Sequence, residues 1–365
     1  LRDAMHGCEV VPQDELGARD PGWDASNLKG LALVRPRSTE DVRRLVLWCR
    51  DHGRVLVPQG GRTGLVGGSV TEGSEIICDL GAMNAIEEID ARSAVAIVQT
   101  GATLHALQAA TAAVNLHPGI DLASRGSATV GGLISTNAGG MAAFRAGVMR
   151  HRVLGLEVVL PDGRVFDDLT RVMKTSAGYD LKQLFIGAEG TLGIVTRAAI
   201  RLEPLPQGRA TALVGLGSAD EALTLLRHLT SRGTLTLLTA EIMWRRYFEA
   251  TAGVLGITGA QAPLDRPCLL ALEIAGETYE SAQDALETAL GTLLESGETF
   301  AAVVARSNAQ AERLWRLRED TEILFGLHSH APSFDVSLPS RDLDAYVARL
   351  EAGLRALDPA FAPYV

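Results

Sequence analysis

The spacing of hydrophobic residues along the first half of the chain predicts short strands and few long helices. Residues 32–53 begin with an apolar run and continue with apolar residues at helical spacing, which predicts a strand followed by a capped helix. The apolar run at 54–58 predicts a buried strand that leads directly into a glycine-rich stretch. Two apolar runs around Asp162-Gly163, a strong turn signal, predict a β-hairpin. Residues 118–140 are rich in Gly, Ser and Thr and show no helical period.

The pattern changes after Pro204 and Pro206, where strands begin to alternate with long amphipathic helices. Helical spacing predicts helices at 218–233, 278–297, 309–325 and 340–357. Apolar runs between them predict strands at 209–217, 234–244, 267–276 and 333–339. We therefore expect an α+β second domain whose antiparallel sheet is covered by helices on one face.

Composition narrows the class of protein. The 365 residues are 47% hydrophobic and 21% charged, which is typical of a soluble globular chain with two domains. The net charge of −10 and the scattered arginines argue against a nucleic-acid partner. Four cysteines, far apart in the sequence and without metal-ligand spacing, favour reduced thiols in a bacterial cytoplasm. No apolar run is long enough for a membrane span. No signal peptide is visible. Because the chain begins with Leu1 rather than Met, we expect its N-terminus to be trimmed or incomplete.

Three glycine-rich stretches, at 57–70, 117–140 and 187–194, are the main candidates for ligand binding. Glycines leave backbone N–H groups uncovered, and such groups form anion-binding nests. A wide loop with tight turns explains any single glycine-rich stretch equally well. The first stretch is neither a Walker loop nor a G-x-G-x-x-G motif. Three stretches together predict an extended ligand, such as a dinucleotide, lying across the backbone.

A fourth glycine pattern imitates a nicotinamide site. Gly215-x-Gly217 follows a predicted strand and precedes a predicted helix, and Glu241 lies further on. Asp220 stands where the third glycine is expected, and its charge would repel a phosphate. We therefore expect no nicotinamide site there.

The segments "PQGGRTGLVGGS", "GGLISTNAGG" and "GYDLKQLFIGAEGTLGIVT", in this order, closely resemble the FAD-linked oxidase family with a vanillyl-alcohol-oxidase-type, or PCMH-type, flavin domain. Within that family they are similar to the D-2-hydroxyacid dehydrogenase branch, which oxidises D-lactate, D-2-hydroxyglutarate or glycolate. The resemblance implies an α+β fold with an FAD-binding domain at 28–207, in subdomains of about 28–87 and 88–207. An N-terminal segment (1–27) precedes it, and an α+β cap, or substrate, domain at 208–365 follows it.

The resemblance also implies FAD-binding residues in all three stretches. Many relatives have Asn where Arg62 stands, so only a backbone contact is expected to survive there. No histidine lies in the first stretch, so we expect FAD to be held without a covalent bond. The implied FAD-binding residues are Pro58, Gly60, Gly61, Arg62, Thr63, Gly64, Ser69, Pro118, Gly126, Ser127, Thr129, Gly132, Ser135, Thr136, Asn137, Glu189, Gly190 and Ile194.

The implied reaction moves a hydride from a D-2-hydroxy acid to flavin N5, giving the 2-oxo acid. Arg318, in "LWRLRED", matches the family's substrate-carboxylate arginine; the alternative is a surface arginine paired with Glu319 or Glu322. Thr321 lies near a family hydroxyl contact, although its spacing from Arg318 is one residue short.

Two departures from the family pattern stand out. Ser333 replaces a lysine of hydroxyglutarate-type relatives. The motif H-x-G-D-G-N-x-H is absent, and the chain ends at "DPAFAPYV" where that segment would begin, so we expect a C-terminally truncated chain. The catalytic base and the ligands of a divalent metal are then expected beyond Val365. His328 and His330 could serve as a substitute metal pair, but their sequence context favours two surface-loop histidines.

Other functions stay open at this point. The same fold serves other flavin oxidases and reductases, and a flavin-binding subunit of a glycolate-oxidase-like complex is a further alternative. Because no nicotinamide signature exists, we expect an electron-transfer flavoprotein, a quinone or a cytochrome as acceptor. A homodimer and a peripheral membrane location are compatible with the sequence.

Overall fold

The computed structural model describes residues 1–231, 233, 235–320, 322–328 and 332–365. The chain forms two compact units, Leu1–Leu205 and Pro206–Val365. None of the helices in the described ranges has the length and apolar character needed to cross a membrane.

The described strands and helices are numbered in chain order within each class. The strands are β1 (Glu9–Pro12), β2 (Ala32–Arg35), β3 (Leu56–Gln59), β4 (Ile76–Asp79), β5 (Ile86–Asp90), β6 (Val95–Gln99), β7 (Leu116–His117), β8 (Val153–Val159), β9 (Val165–Asp168), β10 (Ile194–Arg201), β11 (Glu203–Pro204), β12 (Gly208–Leu216), β13 (Thr236–Trp244), β14 (Cys268–Gly276) and β15 (Ala301–Val304). The helices are α1 (Thr39–Asp51), α2 (Leu104–Ala112), α3 (Val130–Ser135), α4 (Ala143–Ala146), α5 (Ala219–Ser231), α6 (Arg245–Leu255), α7 (Tyr279–Glu295), α8 (Asn308–Glu319), α9 (Glu322–Leu327) and α10 (Leu343–Leu357).

The first unit contains a small sheet with strand order β1-β2-β4-β3, in which β2, β4 and β3 run parallel. The predicted strand and helix at 32–53 are confirmed as β2 and α1. Helix α1 begins where the Ser38 hydroxyl accepts a hydrogen bond of 3.1 Å from the Asp41 backbone N–H. Strand β3 ends at Gln59, so the parallel sheet delivers the chain directly into the first glycine-rich stretch.

The second sheet of this unit is antiparallel, with the order β5-β6-β10-β8-β9. The predicted hairpin is confirmed: β8 pairs with β9 across a turn in which Gly163 has φ of +82°. Helix α3 lies within residues 118–140, although the sequence of that segment shows no helical period. Its six residues include two adjacent glycines, which hide the helical period, and the Thr129 hydroxyl caps its first turn.

The second unit is built on a four-stranded antiparallel sheet with the order β13-β14-β12-β15, which confirms the predicted α+β class. Alternate residues of β12 face α5 and α7 in the main apolar core. The expectation of helices on one face is wrong. Thr211, which alternates to the opposite face, accepts a hydrogen bond of 3.3 Å from Trp315 Nε1 of α8.

Two further predictions of secondary structure fail near the C-terminus. The predicted helix at 309–325 is two helices, α8 and α9. The predicted strand at 333–339 is neither strand nor helix, and its side chains are largely exposed, with Phe334 at 82%. An apolar alternation forms a strand only where a neighbouring strand offers backbone partners, and no described strand pairs with this segment.

Three of the four cysteines, far apart in the sequence, belong to one core cluster. Cys49 and Cys78 are buried within it, and Cys8 packs against its edge. Burial raises the pKa of the Cys49 thiol to about 11 and raises that of Cys78 further. These thiols are therefore neutral at physiological pH, and the cysteines of the chain are free rather than disulfide-bonded.

Candidate cofactor and substrate site

The first unit brings the three glycine-rich stretches together. A Cβ atom added to Gly61 would lie 1.9 Å from the Ser127 carbonyl oxygen, and one added to Gly60 would lie 2.1 Å from Thr129 Oγ1. A Cβ on Gly190 would lie 2.6 Å from Pro58 Cγ. Only glycine permits such close approaches, so the stretches predicted to share one ligand pack against one another.

The third stretch is tied to helix α3 by backbone hydrogen bonds. The Glu189 N–H donates to the Ser135 carbonyl at 2.8 Å, and the Gly187 N–H donates to the Ile134 carbonyl at 3.0 Å. Asn137 and Glu189 both have φ of +51°, a conformation that non-glycine residues rarely adopt. The local backbone is therefore shaped by the packing of these two stretches.

The backbone between Gly60 and Ser69 carries a continuous row of unpaired donors. None of its N–H groups donates a hydrogen bond to any described residue. Gly64, Gly67 and Gly68 are also exposed. Exposed backbone donors bond to water when no ligand is present, and an uncovered row of them in a glycine-rich loop can exchange that water for an anion such as a pyrophosphate.

Arg62 turns its side chain into the protein rather than towards this row. Its Nε donates to Gln59 Oε1 at 2.8 Å, and its guanidinium forms an ion pair with Asp79 at the end of β4. Arg62 has φ of +54°, and its carbonyl accepts from the Trp23 N–H at 3.0 Å. Any contact of Arg62 with a ligand would therefore use its backbone. Asp79 was not identified from the sequence, where nothing links it to the loop.

We expect Asp79→Ala to lower the free energy of unfolding by about 3–5 kcal/mol, because it would leave buried arginine charge unpaired. The Asp79 side chain is 9% exposed and also lies 3.6 Å from Arg35 Nε. Urea unfolding of the apoprotein measures this loss. Glu40→Ala removes an exposed pair with Arg43 and should cost less than about 0.5 kcal/mol. A loss of under 1 kcal/mol for Asp79→Ala would contradict the structural role of this ion pair.

Other predicted FAD-binding residues use their polar side chains within the protein. The Ser69 hydroxyl donates to Asn27 Oδ1 at 2.9 Å, and the Thr136 hydroxyl donates to the Gly132 carbonyl at 2.9 Å. Asn137 Oδ1 accepts from the Arg150 N–H at 2.9 Å. Pro118 is buried, whereas Gly126 and Ser127 are exposed and Thr63 is half-buried.

Ile194 is placed differently from the rest of the predicted FAD-binding residues. It begins β10, pairs with Val159 of β8, and is 5% exposed in a core cluster of the first unit. The structure therefore gives its side chain a packing role.

Arg318 lies in the last turn of α8 in the second unit. Its Nε donates to Glu241 Oε2 of β13 at 2.9 Å, and the Tyr247 hydroxyl donates to its backbone carbonyl at 2.8 Å. Burial lowers the pKa of the guanidinium, but the charge of Glu241 outweighs this effect and raises the pKa overall. Arg318 is thus a fixed cation with 37% of its side chain exposed, and its partner is Glu241 rather than a neighbour on its own helix.

The structure describes only some of the remaining predicted substrate and metal residues. Thr321 and His330 lie outside the described residues. His328 Nε2 lies 2.9 Å from the Tyr364 hydroxyl, and Ser333 is exposed. Within the described ranges, no group of three or more His, Cys, Asp or Glu side chains is arranged to hold a metal ion.

The glycine pattern at 215–217 leads into a helix whose start is already occupied by carboxylates. The Gly217 N–H donates to Glu221 Oε2 at 2.7 Å. The N–H groups of Ala219 and Asp220, at the start of α5, both donate to the Asp344 carboxylate at 3.0 Å. A phosphate at this position would have to displace both acids.

Comparison with known proteins identifies the same two parts of the chain. Residues 31–168 match the family model described as an FAD binding domain, and residues 205–364 match the model for the C-terminal domain of FAD linked oxidases. The structure is similar to that of alkyldihydroxyacetonephosphate synthase, with a TM-score of 0.62 and 20% identity over 80% of this chain and 56% of that one. The predicted fold is thereby confirmed.

Curated relatives of greater sequence similarity include D-2-hydroxyglutarate dehydrogenases and a putative D-lactate dehydrogenase of Schizosaccharomyces pombe, which is 34% identical over 84% of this chain and 58% of its own length. The enzyme of Stutzerimonas stutzeri is 36% identical over 86% of this chain and 67% of its own length. The mitochondrial enzyme of Bos taurus is 34% identical over 97% of this chain and 65% of its own length. The chain therefore spans about two thirds of the length of these two enzymes. The two domain matches and these relatives identify the same family that the three glycine-rich stretches resemble. The chain therefore belongs to the FAD-linked oxidase family.

Proposed function

We propose that this protein binds FAD without a covalent bond and oxidises a D-2-hydroxy acid to the 2-oxo acid. The observation that carries the proposal is the row of unpaired N–H groups from Gly60 to Ser69, which begins where Gly60 and Gly61 pack against Ser127–Thr129. FAD is the ligand of the matching family model, and its pyrophosphate is the kind of anion that such a row binds. The stretch contains no histidine, which supports non-covalent binding.

Each part of the chain has a separate task in this proposal. When bound, FAD supplies the acceptor for the hydride that leaves the substrate Cα. The N–H groups at 60–69 hold its pyrophosphate, and glycines at these positions allow the close approach. Arg318 holds the substrate carboxylate through a charge-assisted hydrogen bond, which orients the substrate. No described residue is assigned as the base that accepts the hydroxyl proton.

The electron acceptor is proposed to be an electron-transfer flavoprotein, a quinone or a cytochrome. This proposal is supported by the carboxylates of Glu221 and Asp344, which fill the α5 start that a nicotinamide dinucleotide would use. A cytoplasmic location is proposed from the free cysteines, of which Cys49, Cys78 and Cys268 are buried. Reduction of NAD by the protein with substrate would contradict the choice of acceptor.

The test is an anaerobic reaction of the purified flavoprotein with D-lactate, D-2-hydroxyglutarate and glycolate. We expect visible flavin absorbance in the purified protein and its bleaching by at least one D-2-hydroxy acid, but not by the L enantiomers. Two results would overturn the proposal: a protein that does not bind FAD, or flavin that NADPH reduces while no hydroxy acid does. The substrate panel is needed because the family resemblance implies a lysine in hydroxyglutarate-type relatives where this chain has Ser333.

A further inference from the structure

We propose that Glu241 is a positioning residue that holds Arg318 in the orientation that binds the substrate carboxylate. The inference rests on the proposed function, since it concerns the same arginine. It adds a residue that lies 77 positions away in the sequence and contacts Arg318 directly, at 2.9 Å.

The anchor points on both sides of this ion pair are rigid. Glu241 lies in β13, opposite Ala271 of the central strand β14, so the sheet fixes its backbone. Arg318 lies in α8, and the Tyr247 hydroxyl of α6 fixes the carbonyl of the same residue. The Glu241 side chain is 23% exposed, which limits competition by water. The pair therefore has a defined geometry before any ligand arrives.

The choice of nitrogen matters for the proposed role. Glu241 accepts from Nε, and in the described part of the chain no other carboxylate pairs with Arg318. The Tyr247 hydroxyl also lies close to the guanidinium. A guanidinium carries five N–H donors in a planar fork, so donors beyond those that face Glu241 and Tyr247 remain for a second carboxylate. Holding the fork at Nε reduces the rotational freedom that substrate binding would otherwise remove.

Simple charge competition predicts the opposite effect of removing Glu241. If Glu241 only neutralised Arg318, then Glu241→Ala would strengthen the binding of an anionic ligand. If Glu241 positions the arginine, then Glu241→Ala weakens that binding and Glu241→Gln, whose amide oxygen can still accept from Nε, restores most of it. The sign of the change therefore separates the two roles.

The experiment is a calorimetric titration of the oxidised flavoprotein with pyruvate and 2-oxoglutarate, product-type carboxylates that do not turn over with oxidised flavin. We expect the dissociation constant to rise about 10- to 100-fold in Glu241→Ala and less than about threefold in Glu241→Gln. In steady-state assays of Glu241→Ala, KM should rise more than kcat falls. Tighter or unchanged binding by Glu241→Ala would overturn the positioning role.

A matched control comes from the same sheet. Arg209 and Glu273 form a similar pair at 2.8 Å, and Glu273 is as well shielded as Glu241, at 14% exposure. Glu273→Ala should therefore leave carboxylate affinity unchanged. Thermal unfolding and flavin content show whether each variant is folded. If Arg318→Ala binds the carboxylates like the wild type, the substrate site of the proposed function fails; if only the Glu241 variants do so, this inference alone fails.

Discussion

Arg318→Ala is expected to lower kcat/KM for a D-2-hydroxy acid roughly 30- to 4,000-fold, the largest effect we expect from any side chain of the second unit. The substitution removes the proposed partner of the substrate carboxylate and leaves the partly buried Glu241 charge unpaired. Arg318→Lys should recover little of the activity. An ammonium lacks the planar fork with which a guanidinium donates to Glu241 and to the substrate carboxylate at the same time. Steady-state kinetics with the substrate that bleaches the flavin measures both variants.

Arg209→Ala is the control for this experiment. It removes an arginine of similar exposure that also pairs with a sheet glutamate, without touching the proposed site. Its kcat/KM should stay within about twofold of the wild type, since no substrate contact is lost. Equal losses in the two variants would assign the Arg318 effect to general destabilisation of the second unit.

Gly61→Ala is expected to abolish FAD binding and to destabilise the apoprotein. The new Cβ would lie 1.9 Å from the Ser127 carbonyl oxygen and 3.1 Å from Ala128 Cα, both of which are backbone atoms. Neither can move without displacing the second glycine-rich stretch, so we expect a loss of about 1–3 kcal/mol in the free energy of unfolding. Calorimetric unfolding of the apoprotein and fluorescence titration with FAD measure the two effects.

Gly64→Ala tests whether a methyl group in this loop lowers FAD affinity without destabilising the apoprotein. A Cβ at Gly64 meets no described atom within 4 Å, and its backbone is not in the left-handed region. The apoprotein should therefore keep its unfolding temperature, whereas the affinity for FAD should fall about tenfold because the methyl group enters the space above the unpaired N–H groups. Unchanged FAD affinity in Gly64→Ala would show that the pyrophosphate does not lie over this part of the loop.

Local patterns in the sequence were sufficient for much of the fold. The helix α1, the hairpin around Gly163 and the antiparallel sheet of the second unit follow from spacing and turn residues that lie close together in the chain. The failures arise where the outcome depends on distant groups. Helix α3 is stabilised by its cap and its packing rather than by a visible period, and residues 333–339 lack a strand to pair with.

In the candidate site, too, features set by nearby residues could be predicted, whereas contacts between distant residues could not. Glycine content located all three stretches, because close backbone approach requires glycine wherever it occurs. The partners that hold the site together were not predictable, since Arg62 and Asp79 are 17 residues apart and Arg318 and Glu241 are 77 apart. No sequence signal marks such long-range ion pairs, which only the folded sheets bring into contact.

The unpaired donors at 60–69 also connect the lifetime of the protein to flavin supply. A ligand that binds only the native state adds stability in proportion to the logarithm of its concentration over its dissociation constant. Chains that have not acquired FAD keep an uncovered, glycine-rich loop, and such loops are preferred points of proteolytic cleavage. If the proposed FAD binding holds, the steady-state amount of this protein would then fall in a cell short of flavin.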